Sequence, residues 1–285
     1  MTDGLGLGDA YDATLGRIKG QGGEKTRLGM DALMWISHSE RPLKVDELCH
    51  ALAVRIGSTD LDGDNVPSIG TLLACCQGLV AVDKEASTVR LIHFTVQEYL
   101  RAHPELFSSA HSIIAETCLS YLNSQQVKAL SASRSSYAQS TPFLEYSSVY
   151  WGVHAKRELS DCAKLLALRL FDDYNDHIST EILLEARGWR GYFHPDKPYL
   201  FSGLHCASFF GIVEIVAGLV EVEGCDINQN DCTGLTPLLL AVRNGHERVV
   251  EVLLGQNEVD PDKPDKGGRA DHHFLVLLEM GMREW

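Results

Sequence analysis

One stretch of this chain is written twice. Gly203-Leu204-His205-Cys206-Ala207, followed by Gly211, Val216, Leu219 and Asp226-Ile227-Asn228, returns 34 residues later. The second copy reads Pro237-Leu238-Leu239-Leu240-Ala241, then Gly245, Val250, Leu253 and Asp260-Pro261-Asp262. A fixed period near this length marks one supersecondary unit that cannot bury its apolar face alone, so copies must stack into a solenoid. Each position has a physical use in a helix pair. The Thr236 hydroxyl can cap the first helix, and Pro237 suits its first turn. Ala241 allows close helix packing, Gly245 opens the turn between helices, and Val249, Val250, Leu253 and Leu254 form the buried face of the second helix.

Asp231-Cys232-Thr233-Gly234-Leu235-Thr236-Pro237-Leu238 resembles the D-x-x-G-x-T-P-L-H of ankyrin repeats, and Gly245-His246-Glu247-Arg248-Val249-Val250-Glu251-Val252-Leu253-Leu254 their G-H-x-x-V-V-x-x-L-L. The earlier copy keeps His205 but has Ser202-Gly203 in place of Thr-Pro, and the later one has Leu239 where the histidine belongs. A third copy starts at Asp265-Lys266-Gly267-Gly268-Arg269 and then departs, because Ala270-Asp271-His272-His273-Phe274 stands where a helix should begin. Residues 199–285 are therefore expected to hold about two full repeats and a degenerate third. Such arrays need roughly three units and a polar cap. The apolar Phe274 to Met280, with Trp285 behind it, is expected to fold back as a cap or to support self-association.

The upstream pattern is different. Met1 to Gly23 is glycine-rich and weakly apolar, which predicts a flexible lead-in over residues 1–26. Leu28, Ala32, Trp35 and Ile36 then mark one helix face, Val45 to Arg55 a second helix, and Pro67 to Gln77 a third that Gly78 ends. Leu79 to Val82 and Thr88 to Ile92 are β-branched runs around a five-residue loop, which predicts a hairpin, with a helix at Phe94 to Arg101 behind it. Three helices, a two-stranded wing and a closing helix make a winged helix over residues 27–104. Residues 105–198 read as a helical middle region interrupted by the Ser-rich 131–140. Its aromatic cluster, Phe143, Tyr146, Tyr150, Trp151 and His154, serves either as a ligand box or as packing between helices, the cheaper explanation. The expected fold is mainly α: winged helix with a small β-hairpin, helical middle, short ankyrin solenoid.

Ala32-Leu33-Met34-Trp35-Ile36-Ser37, Arg41-Pro42-Leu43, Asp46-Glu47-Leu48 and Leu91-Ile92-His93-Phe94-Thr95-Val96-Gln97-Glu98-Tyr99-Leu100 resemble the winged helix that follows the NACHT ATPase core in ankyrin-bearing, NLR-like proteins of filamentous fungi, a module often named after GPI inositol-deacylase. Proteins of that kind are similar to STAND NTPases, in which an effector domain and a nucleotide switch precede the winged helix and the sensing repeats. The resemblance implies a C-terminal part of such a protein, or a truncated paralogue, without an ATP site of its own. A P-loop requires G-x-x-x-x-G-K-[ST] directly after an apolar strand. Gly22-Gly23-Glu24-Lys25-Thr26 inserts a glutamate and has no strand ahead of it. No G-x-S-x-G is present, so the deacylase name brings no hydrolase activity with it.

Other chemistry is excluded in the same way. Asp60-Leu61-Asp62-Gly63-Asp64-Asn65 carries the acids of a calcium loop, but its glycine comes early and no glutamate stands twelfth. The 8 cysteines form no C-x-x-C or zinc spacing, and the 12 histidines no H-E-x-x-H. Most of the cysteines, the adjacent Cys75 and Cys76 included, are expected to be small core side chains. No metal or cofactor is expected, and no apolar run is long enough for a membrane span.

Charge decides between two kinds of partner. The 285 residues carry a net charge of −14, divided as −4 over 1–104, −2 over 105–198 and −8 over 199–285. Acidity repels phosphate backbones. The helix that would enter a DNA groove, Val66 to Gln77, has neither Lys nor Arg, and the wing offers only Lys84 and Arg90. The expected function is non-enzymatic protein–protein recognition within NLR-like signalling, in the cytoplasm or the nucleus. Gln229, Asn230, Asp231, Cys232, Arg243 and Asn244 are the candidate contacts, on the turn tips and the exposed inner-helix face. Three alternatives remain open: a winged-helix DNA regulator, a regulatory subunit docking on a separate NACHT ATPase, and an enzyme assembled from the middle helices.

Overall fold

The computed structural model describes residues 6–133, 141–172, 174–188 and 200–263. The first element corrects the sequence reading, because the glycine-rich opening is a helix, α1 (Leu7–Lys19). Tyr11, Leu15 and Ile18 recur at helical spacing, and burial of Leu15 and Ile18 outweighs the cost of Gly8 and Gly16 in the helix. The Tyr11 hydroxyl lies 2.6 Å from Thr95 Oγ1, and Tyr99 donates to Asp12 at 2.5 Å, tying α1 to the far side of the winged helix.

Helix α2 (Gly23–His38) starts five residues ahead of Leu28, the first residue of the expected face. Gly22, at φ +77°, supplies the left-handed bend that separates it from α1. Because a helix and not a strand precedes Gly22 to Thr26, the phosphate-loop geometry has no foundation there. The Thr26 hydroxyl is committed to the carbonyls of Ile18 and Lys19. Strand β1 (Leu43–Lys44) leads into α3 (Val45–Ala53), and α4 (Ile69–Cys75) begins at the Ser68 cap, whose hydroxyl accepts from Thr71 N–H. Strands β2 (Val80–Asp83) and β3 (Thr88–Leu91) form the hairpin. The two-residue β1 escaped the sequence reading; it pairs antiparallel with β3, Leu43 opposite Val89, giving the order β1-β3-β2. Helix α5 (Phe94–Ala102) closes the unit.

Helix α6 (Ala110–Leu122) follows after a single short 3-10 turn, then α7 (Gln125–Ser133), α8 (Leu144–Arg157), α9 (Asp161–Phe171) and α10 (Ile178–Ala186). Two antiparallel pairs complete the described chain: α11 (Gly203–Phe210) with α12 (Val213–Val220), and α13 (Pro237–Arg243) with α14 (Glu247–Leu254). The degenerate third copy and the apolar end from Phe274 lie outside the described residues.

The aromatic cluster is core. Phe143, Tyr146 and Trp151 are fully buried, and Trp35 of α2 meets Phe143 edge-on at 5.5 Å and Tyr146 at 6.0 Å. The winged helix and the helical middle therefore share one apolar interior. That interior continues into the repeats, since a Cβ on Gly152 would stand 2.2 Å from the Phe210 ring: only glycine lets α8 seat α11 this closely. Cys75, Cys76, Cys118 and Cys206 are buried free thiols, whereas Cys162 is exposed.

Candidate interaction surface

The turn ahead of α13 is built around Asp231. Its Oδ1 accepts from Thr233 N–H at 2.8 Å, the Thr233 hydroxyl at 2.6 Å and Leu235 N–H at 2.9 Å, and the side chain is 1% exposed. One carboxylate oxygen thus folds the loop, and Asp231 is removed from the set of side chains a partner could touch. Gln229, Asn230 and Cys232 are half-buried around it. The next turn repeats the tie between units: Asn228 Nδ2 donates to Glu258 C=O at 2.6 Å, and its Oδ1 accepts from Asp260 N–H at 2.9 Å.

Histidines clasp neighbouring units. His205 Nε2 lies 2.9 Å from the Gln229 carbonyl, while its Nδ1 accepts from Ser202 N–H at 3.1 Å. The ring therefore carries its proton on Nε2 and donates outward to the following turn. Burial holds His205 well below the ordinary imidazole range, so it remains neutral. In the reverse direction, His246 Nε2 bonds Phe209 C=O at 2.9 Å. Its ring packs on Gly211, where a Cβ would stand 2.6 Å from the imidazole and φ is +78°.

The inner helices offer less than the sequence suggested. Every residue of α11 is buried, and the Arg187 guanidinium stacks 4.9 Å from the Phe209 ring, covering part of that helix with the chain's own side chain. On α13 the residues from Pro237 to Val242 are buried, and exposure begins at Arg243 and Asn244. These two stand at the opposite end of α13 from the turn, roughly 10 Å along a seven-residue axis. The six candidate residues are therefore not one patch.

Arg243 and Asn244 instead adjoin an open groove of about 300 Å³ lined by Lys156, Glu214, His246, Glu247 and Arg248. Lys156 Nζ approaches His246 Nδ1 at 3.1 Å. Lys156 lies at the end of α8, 90 residues from its partner in sequence, and no local signal could have placed it here. Burial and the nearby Lys156 charge both lower the His246 pKa, against the carbonyl bond. Lys156 and Arg248 stand in the groove against Glu214 and Glu247, with Arg243 beside it, so this end of the acidic array is of mixed charge.

Two family models match. Residues 18–113 match the winged-helix domain of GPI inositol-deacylase, and residues 154–265 match ankyrin repeats in three copies. The chain carries a winged-helix domain followed by ankyrin repeats. The ankyrin match begins inside α8, upstream of the boundary drawn at 199, so it takes in α9 and α10 as well as the two written repeats. Over short segments the chain is also similar to the mouse ankyrin repeat domain-containing protein SOWAHD, 37% identical over 67 residues, covering 21% of this chain and 20% of that protein. It is 41% identical over 63 residues to the ARF GTPase-activating protein Git of Drosophila melanogaster, covering 22% of this chain and 8% of that one. The chain thus spans a fifth or less of the length of either relative.

Ankyrin repeats imply a protein-interaction module, and both matched domains are non-catalytic types. Among the described residues, no group of three or more His, Cys, Asp or Glu side chains could hold a metal, and no helix is long and apolar enough to cross a membrane.

Proposed function

We propose that this chain is a non-enzymatic protein–protein interaction module whose recognition surface is the Arg243 end of the ankyrin stack, within an NLR-like signalling system whose nucleotide switch resides outside these 285 residues. The observation that carries the reading is the exposure of Arg243 and Asn244 beside the groove of Lys156, His246 and Arg248, where the remainder of α13 is buried. Its cations suit an acidic partner surface, and charge there chiefly sets the association rate and the choice of partner. The DNA alternative is disfavoured because α4, the groove-entering helix, carries no cation from Ile69 to Cys75.

The test is quantitative co-purification of the full chain from its native cell beside an Arg243→Glu/Arg248→Glu variant and a Gln229→Ala/Asn230→Ala variant. The charge reversal is expected to deplete a discrete set of partners that the turn variant retains. Identical partners for all three would overturn the assignment of this surface.

A further inference from the structure

The winged helix has a groove of its own, lined by no residue of α4. It measures about 340 Å³ and runs between the end of α2, the turn at residues 39–42, β3 and the start of α5. Ile36, Val89 and Leu91 supply apolar lining, and Phe94 stands beside them with 66% of its surface in solvent. A phenylalanine ring left in solvent on the first turn of a helix forgoes the burial that a partner covering it would supply.

The charges around it are not balanced. Arg41, Arg90 and Arg101 line the groove against one acid, Glu40. Arg41 is held by Glu47 through two bonds of 2.7 Å, and Glu40 is taken by Arg157 of α8. Among the described residues, Arg90 and Arg101 form no ion pair. In a chain of net charge −14 that has acids in excess, two unpaired guanidinium groups flanking an exposed aromatic form a surface whose complement is missing. A basic partner would be repelled, and a purely apolar one would leave both arginines facing it unpaired.

We propose that this groove is a second docking site, for a short acidic protein segment that carries an aromatic or branched apolar anchor. The anchor packs against Phe94, Leu91 and Ile36, and flanking carboxylates pair with Arg90 and Arg101. The site lies in a different domain from the ankyrin surface and does not depend on it.

The probe is a fluorescein-labelled peptide in which Asp and Glu alternate with Phe and Leu, titrated by anisotropy into the full chain. Controls are the same peptide with lysines for its acids, the same peptide with alanines for its apolar residues, and a labelled DNA duplex. Saturable binding is expected, weakened about tenfold by Arg90→Glu/Arg101→Glu and by Phe94→Ala, and by either peptide control, but unchanged by Arg243→Glu. All three groove residues are exposed, so circular dichroism and the thermal midpoint should match the parent chain. Failure of the acidic–apolar peptide to bind, equal binding by the groove variants or the alanine peptide, or tighter binding of the duplex would each overturn the proposal. Because Arg243→Glu is read in parallel, loss of this site and loss of the ankyrin surface give different patterns.

Discussion

At the scale of single residues, His154 shows how the interior is wired. Its Nδ1 lies 2.8 Å from His111 Nδ1 and its Nε2 2.9 Å from the Tyr146 hydroxyl, which accepts Glu40 N–H at 3.2 Å. The chain is satisfied when Tyr146 donates to Nε2 and His154 donates from Nδ1 to a neutral His111. Burial, with His111, Arg157 and His38 nearby, pushes His154 down to about 3, so it is neutral when folded and protonates near 6.5 when unfolded. Its stability contribution is therefore fully present above pH 6.5 and is lost as pH falls below it, by up to about 1.4 kcal/mol per pH unit. His38 and His111 are lowered in the same direction, chiefly by burial. Urea midpoints should fall steadily from pH 7 to pH 5, and His154→Gln should flatten that slope; an unchanged slope would contradict the wiring. Gly211 gives a second test. A side chain there meets both a left-handed φ and the His246 ring, whereas Gly245, at φ +69°, faces open space. Gly245→Ala is expected to cost about 1 kcal/mol and Gly211→Ala about 3 kcal/mol or more in urea unfolding.

At the scale of elements, what the sequence made legible followed from periodicity. Helices α13 and α14 and the β2–β3 hairpin fall where Thr236-Pro237, Val249-Val250 and the β-branched runs on either side of residues 83–87 put them. Two elements escaped because their stabilisation is tertiary. Helix α1 depends on Tyr11, Leu15 and Ile18 meeting α2 and α5, and β1 exists only because β3 is beside it. The candidate contacts divided for the same reason. Sequence marks Asp231 as a turn residue but cannot tell that three donors converge on it, and Lys156 reaches the groove only through the fold. Asp231→Ala strands those donors and should cost about 2 kcal/mol, read by chemical denaturation, with exchange protection lost first around Leu235. At the start of α3, Glu47 is 1% exposed and takes two bonds from Arg41 and one from Lys44 N–H at 2.8 Å. Removing Arg41 leaves the buried Glu47 carboxylate without its cation and with the Lys44 N–H bond only, so Arg41→Ala should destabilise by about 3 kcal/mol.

At the scale of the molecule, the aromatic seam of Trp35, Phe143 and Tyr146 joins the winged helix to the middle region across residue 104, and Trp151 against Phe210, 5.4 Å apart, carries the contact across residue 198 into the repeats. Trp35→Ala should cost about 4 kcal/mol and lower the unfolding midpoint of the repeats together with that of the winged helix, followed by far-ultraviolet dichroism and residue-specific exchange at α13. Separate transitions with only the first shifted would show that the seam does not couple them. The seam has a mechanical consequence as well. With only the short turn at Pro104–Phe107 between α5 and α6, and the Arg157–Glu40 pair bracing the outside, the repeats are not a bead on a string. A load applied at Arg243 must turn the winged helix with the repeats or shear Trp35 from its socket.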